Sequence, residues 1–128
     1  MSLTNQAQEL ARAWIEGWSA GKPDDIPLAS NFTHTSPFGV ISGRERYLAW
    51  VKPLAAKNVS TLEILKTLGG ENEAVINFVM STPSGPVHVC DWVKTNNGEI
   101  VAVTSYYHEV EIIATQVKQA QGQTDPTA

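Results

Sequence analysis

Charge is scarce in this sequence. Only 17 % of its 128 residues are Asp, Glu, Lys or Arg, against about a quarter in an ordinary soluble domain. A thinly charged surface leaves room for a buried cavity or a subunit interface. The nine Lys and Arg are scattered along the chain, and with 13 Asp and Glu the formal net charge is -4. No basic patch exists to hold nucleic acid or an anionic membrane. Cysteine is nearly absent too. Cys90 stands alone, so it closes no internal disulfide, and its place within an apolar run reads as a reduced thiol used as a small apolar side chain. No apolar run is long enough to span a membrane. The first ten residues, MSLTNQAQEL, lack the charged-then-apolar pattern of a signal peptide, and a cytoplasmic protein is expected. A Gly-rich phosphate loop and a Ser nucleophile motif are also missing. His88, Cys90 and His108 match no zinc spacing and have no fourth ligand. No metal and no cofactor are expected.

What is present centres on the stretch from Val87 to Val110, VHVCDWVKT-NNG-EIVAVTSYYHEV. Two runs rich in Val, Ile, Tyr and Trp flank Asn96-Asn97-Gly98, and Asn and Gly tolerate the positive φ of a tight hairpin turn. Asp91 interrupts the first arm. A carboxylate there is costly unless it is paired, solvated or protonated, which makes Asp91 the leading candidate for a working group. The alternative is that it faces solvent on an open sheet face. A two-residue Asn97-Gly98 turn places Asp91 opposite Thr104, on the face of Tyr106 and His108. A three-residue Asn96-Asn97-Gly98 turn with a Gly98 bulge places it opposite Val103, with Ser105 and Tyr107. The second register is favoured, because Asn-Asn-Gly suits a type I turn followed by a left-handed glycine.

Elsewhere the chain reads as helices first and strands after. Leu3 to Ala20 carries apolar residues at helical spacing, with Trp14 and Trp18 on one face. Such tryptophans serve a core or a ligand platform. Thr4 or Ser2 can cap its start and Gly21 its end. Residues 23–28 predict a short second helix, with Pro23 in its first turn. Asn31 to Ser36 predicts a strand stopped by Pro37-Phe38-Gly39, with Phe32, His34 and Ser36 on one face. Ser42 and Glu45 form a capping box for a third helix, whose apolar side includes Tyr47 and Trp50 and which bends or ends near Lys52 because of Pro53. Strands follow over residues 59–68, 73–82 and both hairpin arms, the last reaching about Ile113. Short turns between long strands predict a mostly antiparallel, strongly curved sheet. The expected whole is a single α+β domain over residues 1–113. Three N-terminal helices and the curved sheet make a cone enclosing a pocket. A polar, frayed tail follows over 114–128.

Three stretches carry a family likeness: Ala13-Trp14-Ile15-Glu16-Gly17-Trp18-Ser19-Ala20-Gly21, His34-Thr35-Ser36-Pro37-Phe38-Gly39 leading to Ser42-Gly43-Arg44-Glu45, and Asn97-Gly98-Glu99-Ile100 leading to Ser105-Tyr106-Tyr107. With the order of elements, they resemble the nuclear transport factor 2-like superfamily, which includes ketosteroid isomerases and SnoaL-like polyketide cyclases. The resemblance implies the cone fold. In ketosteroid isomerases a first-helix tyrosine donates to the substrate oxygen; Trp14 stands at the matching position. Their aspartate base precedes a proline; Ser36 precedes Pro37 here. Their second aspartate, on the central hairpin, is matched by Asp91. The superfamily's epoxide hydrolases use an Asp-Arg-Asp set, and Val89 stands where the arginine would be. The cyclases are closer: His34-Thr35-Ser36-Pro37 resembles their His-x-Ser-Pro stretch. Together these readings point to an apolar small-molecule pocket with Asp91 as acid/base and His34 supplying or accepting a second proton. Trp14, Trp18, Ser36, Tyr47, Trp50, Ser105 and Tyr107 would line it. A non-catalytic ligand pocket and a dimerising interaction domain are the alternatives. The aromatic outer sheet face bearing Trp92, Tyr106 and His108 predicts a homodimer.

Overall fold

The computed structural model describes residues 3–57, 61–82 and 85–107. The first helix, α1, runs Leu3–Ser19. It ends as its sequence requires: Gly21 takes φ 71, Lys22 N–H bonds the Gly17 carbonyl and Gly21 N–H the Trp18 carbonyl. That paired closure needs a left-handed residue, hence glycine. The expected second helix is a single 3₁₀ turn, Pro23–Asp25. It stops because Ile26 precedes Pro27 and is driven to extended backbone, φ -74 and ψ 130. There are thus two α-helices and a 3₁₀ turn among the described residues, not three helices.

The first strand, β1 (Leu28–Ser36), turns back into a strand that sequence reasoning missed, β2 (Gly39–Ser42). The second helix, α2 (Arg44–Lys57), begins after Gly43, with Tyr47 N–H on the Gly43 carbonyl. Ser42, expected as its cap, is the last residue of β2 instead. Pro53 does not end the helix, which continues to Lys57. Pro53 is exposed, as is Ala49 one turn back, so the carbonyl that Pro53 leaves without a helical partner is on the solvated side. Strands β3 (Thr61–Gly69), β4 (Glu73–Thr82), β5 (Gly85–Asn96) and β6 (Glu99–Tyr106) follow.

The six strands form one sheet in the order β2-β1-β6-β5-β4-β3. All neighbours are antiparallel except β1 and β6, which run parallel. α1 packs across β3, β4 and β5, and α2 against β1 and β2. The core between them holds Ala7, Ala11, Trp14, Ile15, Phe32, Tyr47, Val51, Ile76, Val93 and Val103, among others. Along β5 burial alternates, with Val89, Asp91, Val93 and Thr95 inward and His88, Trp92 and Lys94 outward. This is the period of a sheet covered on one side.

The central hairpin corrects the favoured register. Asn96 pairs with Glu99, so Asn97-Gly98 is a two-residue turn, with φ 52 and 79, the positive pair that such a turn demands. A two-residue turn alone would set Asp91 against Thr104. The pairing shifts between Lys94 and Thr95, where Val101 is the extra residue of β6, and Asp91 comes to lie opposite Ser105. The face is the one expected; the device is a β-bulge inside the strand, not a longer turn. A second shift, at Leu65 of β3, also interrupts the ladder, and bulges bend and twist a sheet.

Candidate functional site

Asp91 is 2 % exposed and sits on the inner face of β5 beneath α1. The helix delivers Trp14 onto it: the indole Nε1–H donates to Asp91 Oδ2 at 2.8 Å. Asp91 Oδ1 is buried without a hydrogen-bond partner. No Lys or Arg pairs with it; the ion pair among the described residues is Lys52–Asp24, at the surface. Burial without a counter-charge pushes the carboxyl up to about 6, and the Ser105 hydroxyl and Trp14 indole pull it back only in part. Desolvation therefore outweighs the two donors. The solvent-facing alternative for Asp91 is excluded by its burial.

His34 reaches the same place from β1. Its Nε2 lies 2.9 Å from Ser105 Oγ, and Ser105 faces Asp91 across the β5–β6 ladder. The imidazole is enclosed by the rings of Trp14 and Tyr47, at centroid distances of 5.8 and 5.2 Å. Burial lowers its pKa to about 4, so it is neutral at neutral pH. Tyr47, from α2, stacks on Trp14 at 5.6 Å and accepts a hydrogen bond from Trp18 Nε1 at 3.0 Å. Burial raises the Tyr47 hydroxyl well above its usual pKa, with the Trp18 bond opposing and the negative charge of Asp91 adding. Trp18 and Tyr47 stand 29 positions apart in sequence, on different helices, and no local pattern pairs them. Phe32, not among the site residues expected from the sequence, closes the cluster against Trp14 and Tyr47 at 5.7 and 5.0 Å. Its place on the His34 face of β1 was the available signal.

The other expected residues divide. Trp50 packs on Tyr47 at 6.2 Å, and its buried Nε1 has no hydrogen-bond partner. Ser36 Oγ accepts Phe38 N–H at 3.2 Å, serving the β1–β2 turn. Tyr107, just past β6, packs toward Phe38 at 6.3 Å. It also lines a hollow of about 310 Å³ with Asn77, His88, Val89, Cys90 and Tyr106. His88 and Tyr106 belong to the outer row of the sheet. Cys90 is half-buried there, and burial first, then the charge of Asp91, raises its thiol pKa. That direction makes the thiol less reactive. Among the described residues, no three His, Cys, Asp or Glu side chains gather as a metal site would require, and no helix is long and apolar enough to cross a membrane. His108 lies outside the described residues, as does the tail.

Chemically, the site is a buried, single carboxyl with one oxygen held by Trp14 and the other without a well-formed hydrogen bond. It is walled by aromatic rings and backed by a neutral Ser105–His34 pair. Such a group takes or gives a proton near neutral pH.

A family model described as a SnoaL-like domain matches residues 11–103. An NTF2-like protein of unknown function from Mesorhizobium loti is similar in structure, with TM-score 0.73 and 16 % identity, covering 85 % of this chain and 96 % of that one. A protein with a ketosteroid isomerase-like fold from Catenulispora acidiphila, solved in complex with trimethylamine, gives TM-score 0.66 and 19 % identity over 91 % and 94 % of the two chains. A de novo designed protein with a curved β-sheet gives TM-score 0.78 and 16 % identity over 95 % and 98 %, a likeness that extends to the curvature of the sheet. No curated protein matches the sequence.

Proposed function

Starting from a chain that belongs to the SnoaL-like domain family of the nuclear transport factor 2-like superfamily, we propose that it moves a proton on an apolar carbonyl compound, by isomerisation or aldol-type cyclisation, with Asp91 as the acid/base. One observation carries this reading. Asp91 is fully enclosed, without a cationic partner among the described residues, and its Oδ1 makes no well-formed hydrogen bond, although the Ser105 hydroxyl is near enough to act on the carboxyl. A purely structural aspartate would have both oxygens satisfied, because an unsatisfied buried acceptor costs on the order of 1–3 kcal/mol. Trp14 fixes the carboxyl through Oδ2, leaving Oδ1 to meet the proton. Tyr47, Trp18 and Trp50 supply apolar surface.

The test is exchange of α-hydrogen for deuterium in 2-tetralone, an apolar ketone, followed by proton NMR in heavy water. The rate is expected to rise with pH and level off above about 6, where the base form predominates. Asp91→Asn is expected to lower it by roughly 10²- to 10⁴-fold, the range of a general base. Exchange no faster than in buffer, across a panel of apolar ketones, would remove the catalytic reading.

A non-catalytic pocket for an apolar ligand is the second reading, favoured by the ring cluster around the carboxyl. Saturable binding of 2-tetralone without exchange would select it. We further propose that the protein is a cytoplasmic homodimer joined through the outer sheet face. Trp92 and Tyr106 are 43 % and 58 % exposed there, although the Trp92 indole already donates to Glu73 at 2.6 Å. Exposed aromatics on one face suit an interface. Sedimentation velocity at micromolar concentration should show a dimer, and Trp92→Lys should shift it to monomer.

A further inference from the structure

We propose that Ser105 and His34 form a proton relay that connects buried Asp91 to solvent. The inference rests on Asp91 being a proton-transfer group, and its test does not require a substrate.

A carboxyl that exchanges a substrate hydrogen with solvent, as α-hydrogen exchange requires, must be recharged, and Asp91 has no direct access to water, with 2 % of its surface exposed. Ser105 and His34 retain 7 % and 8 %. The groups that bear on Asp91 come from every element around it. Trp14 of α1 donates one fixed hydrogen to Oδ2. Tyr47 of α2 holds its proton far above neutral pH. Cys90, next in sequence, points to the outer row and has a raised thiol pKa. Ser105 of β6 lies directly opposite, and His34 of β1 is joined to Ser105 at 2.9 Å. The last two make a continuous chain of exchangeable hydrogens.

The chemistry of the chain is balanced. A serine hydroxyl has one hydrogen and serves one acceptor at a time. In the Nδ1–H tautomer of His34, Ser105 donates to Nε2 across their 2.9 Å contact and gives no hydrogen to Asp91 Oδ1. In the Nε2–H tautomer the ring instead donates to Ser105 Oγ, the hydroxyl hydrogen turns to Oδ1 and passes there, and Ser105 takes the hydrogen on Nε2. A proton from water then binds Nδ1. One N–H bond breaks at Nε2 and one forms at Nδ1. One O–H bond breaks and one forms at Ser105, and Asp91 gains an O–H bond. The imidazole begins and ends neutral, in its other tautomer, which is the charge state burial enforces. The relay runs backwards to discharge Asp91. Ser105 and His34 act through Asp91, and neither needs to touch the substrate.

Time-resolved infrared spectroscopy after a pH jump across 6 reads the rate directly, through the carboxylic-acid C=O band that Asp91→Asn removes. The probe is the proton alone. Ser105→Ala is expected to slow protonation at least tenfold, His34→Gln to slow it similarly, and Ser105→Thr, which keeps the hydroxyl, to restore most of the rate. A structural role for these residues would shift the equilibrium titration without separating Thr from Ala in rate. Unchanged rates in the Ala and Gln variants, or a Thr variant as slow as Ala, overturn the relay. Slowed rates in a protein that exchanges no ketone would uphold the relay and refute the proposed function instead.

Discussion

Asp91 is held in a state that costs the fold free energy. Its carboxyl has an ordinary value of 3.8 in the unfolded chain and about 6 in the folded one. The folded state therefore binds this proton more tightly, and the contribution of Asp91 to stability declines as pH rises from 3.8 through 6. The loss amounts to about 3 kcal/mol and is complete above that window. Asp91→Asn keeps an acceptor for Trp14 and removes the charge. It should raise stability at pH 8 by about 1–3 kcal/mol in urea unfolding, and change little below pH 4. Equal or lower stability at pH 8 would mean that the carboxylate is better solvated than its burial implies. The importance of this residue was legible from one anomaly, an Asp within VHVCDWV. The contacts that define its site were not. Trp14 lies 77 positions away from it, and Ser105 lies 71 positions from His34, so only the fold brings them together.

At the scale of elements, what repeats was readable and what interrupts was not. The α1 periodicity, its Gly21 ending and the 73–82 strand stand in the structure as the residues indicated. β2 was missed because Gly39–Ser42 is four residues long and follows Pro37, a stretch that reads as a stop. The parallel pairing of β1 with β6 joins residues about seventy positions apart and leaves no local trace. The inner face of the hairpin was anticipated for a reason that proved wrong. A turn one residue longer and a bulge at Val101 have the same effect on which side chains face inward. Gly17 offers a sharper test of element packing. A Cβ there would lie 2.3 Å from Ile26 Cγ1, and Ile26 is itself buried. Alanine favours a helix over glycine by about 1 kcal/mol, yet the clash should dominate. Gly17→Ala is expected to lower stability by roughly 1–3 kcal/mol, the usual cost of overpacking. A melting temperature above that of the wild type would show that the 3₁₀ turn yields freely.

For the molecule as a whole, the overall class and the family likeness were open to sequence reasoning, because the arrangement of helices and strands repeats across many chains. The packing of rings from both helices against β1 was not, since it depends on contacts distant in sequence. One consequence of burying Asp91 and His34 together concerns the molecule's proton count. The imidazole has an ordinary value of 6.5 and a folded value of about 4. Its burial therefore makes stability fall as pH drops from 6.5 through 4, the reverse of the Asp91 slope over nearly the same window. Near pH 5 the unfolded chain has its proton on the imidazole and none on the carboxyl, and the folded chain has the opposite. Folding then relocates a charge-bearing hydrogen from a base to an acid and exchanges almost none with the buffer. Stability measured between pH 4 and 6 should be nearly flat, although each group alone would tilt it by about 3 kcal/mol. His34→Gln should expose the downward slope with rising pH, and Asp91→Asn the upward one. Burial of the two groups thus converts a pair of ions that water would keep apart into a pair of neutral molecules.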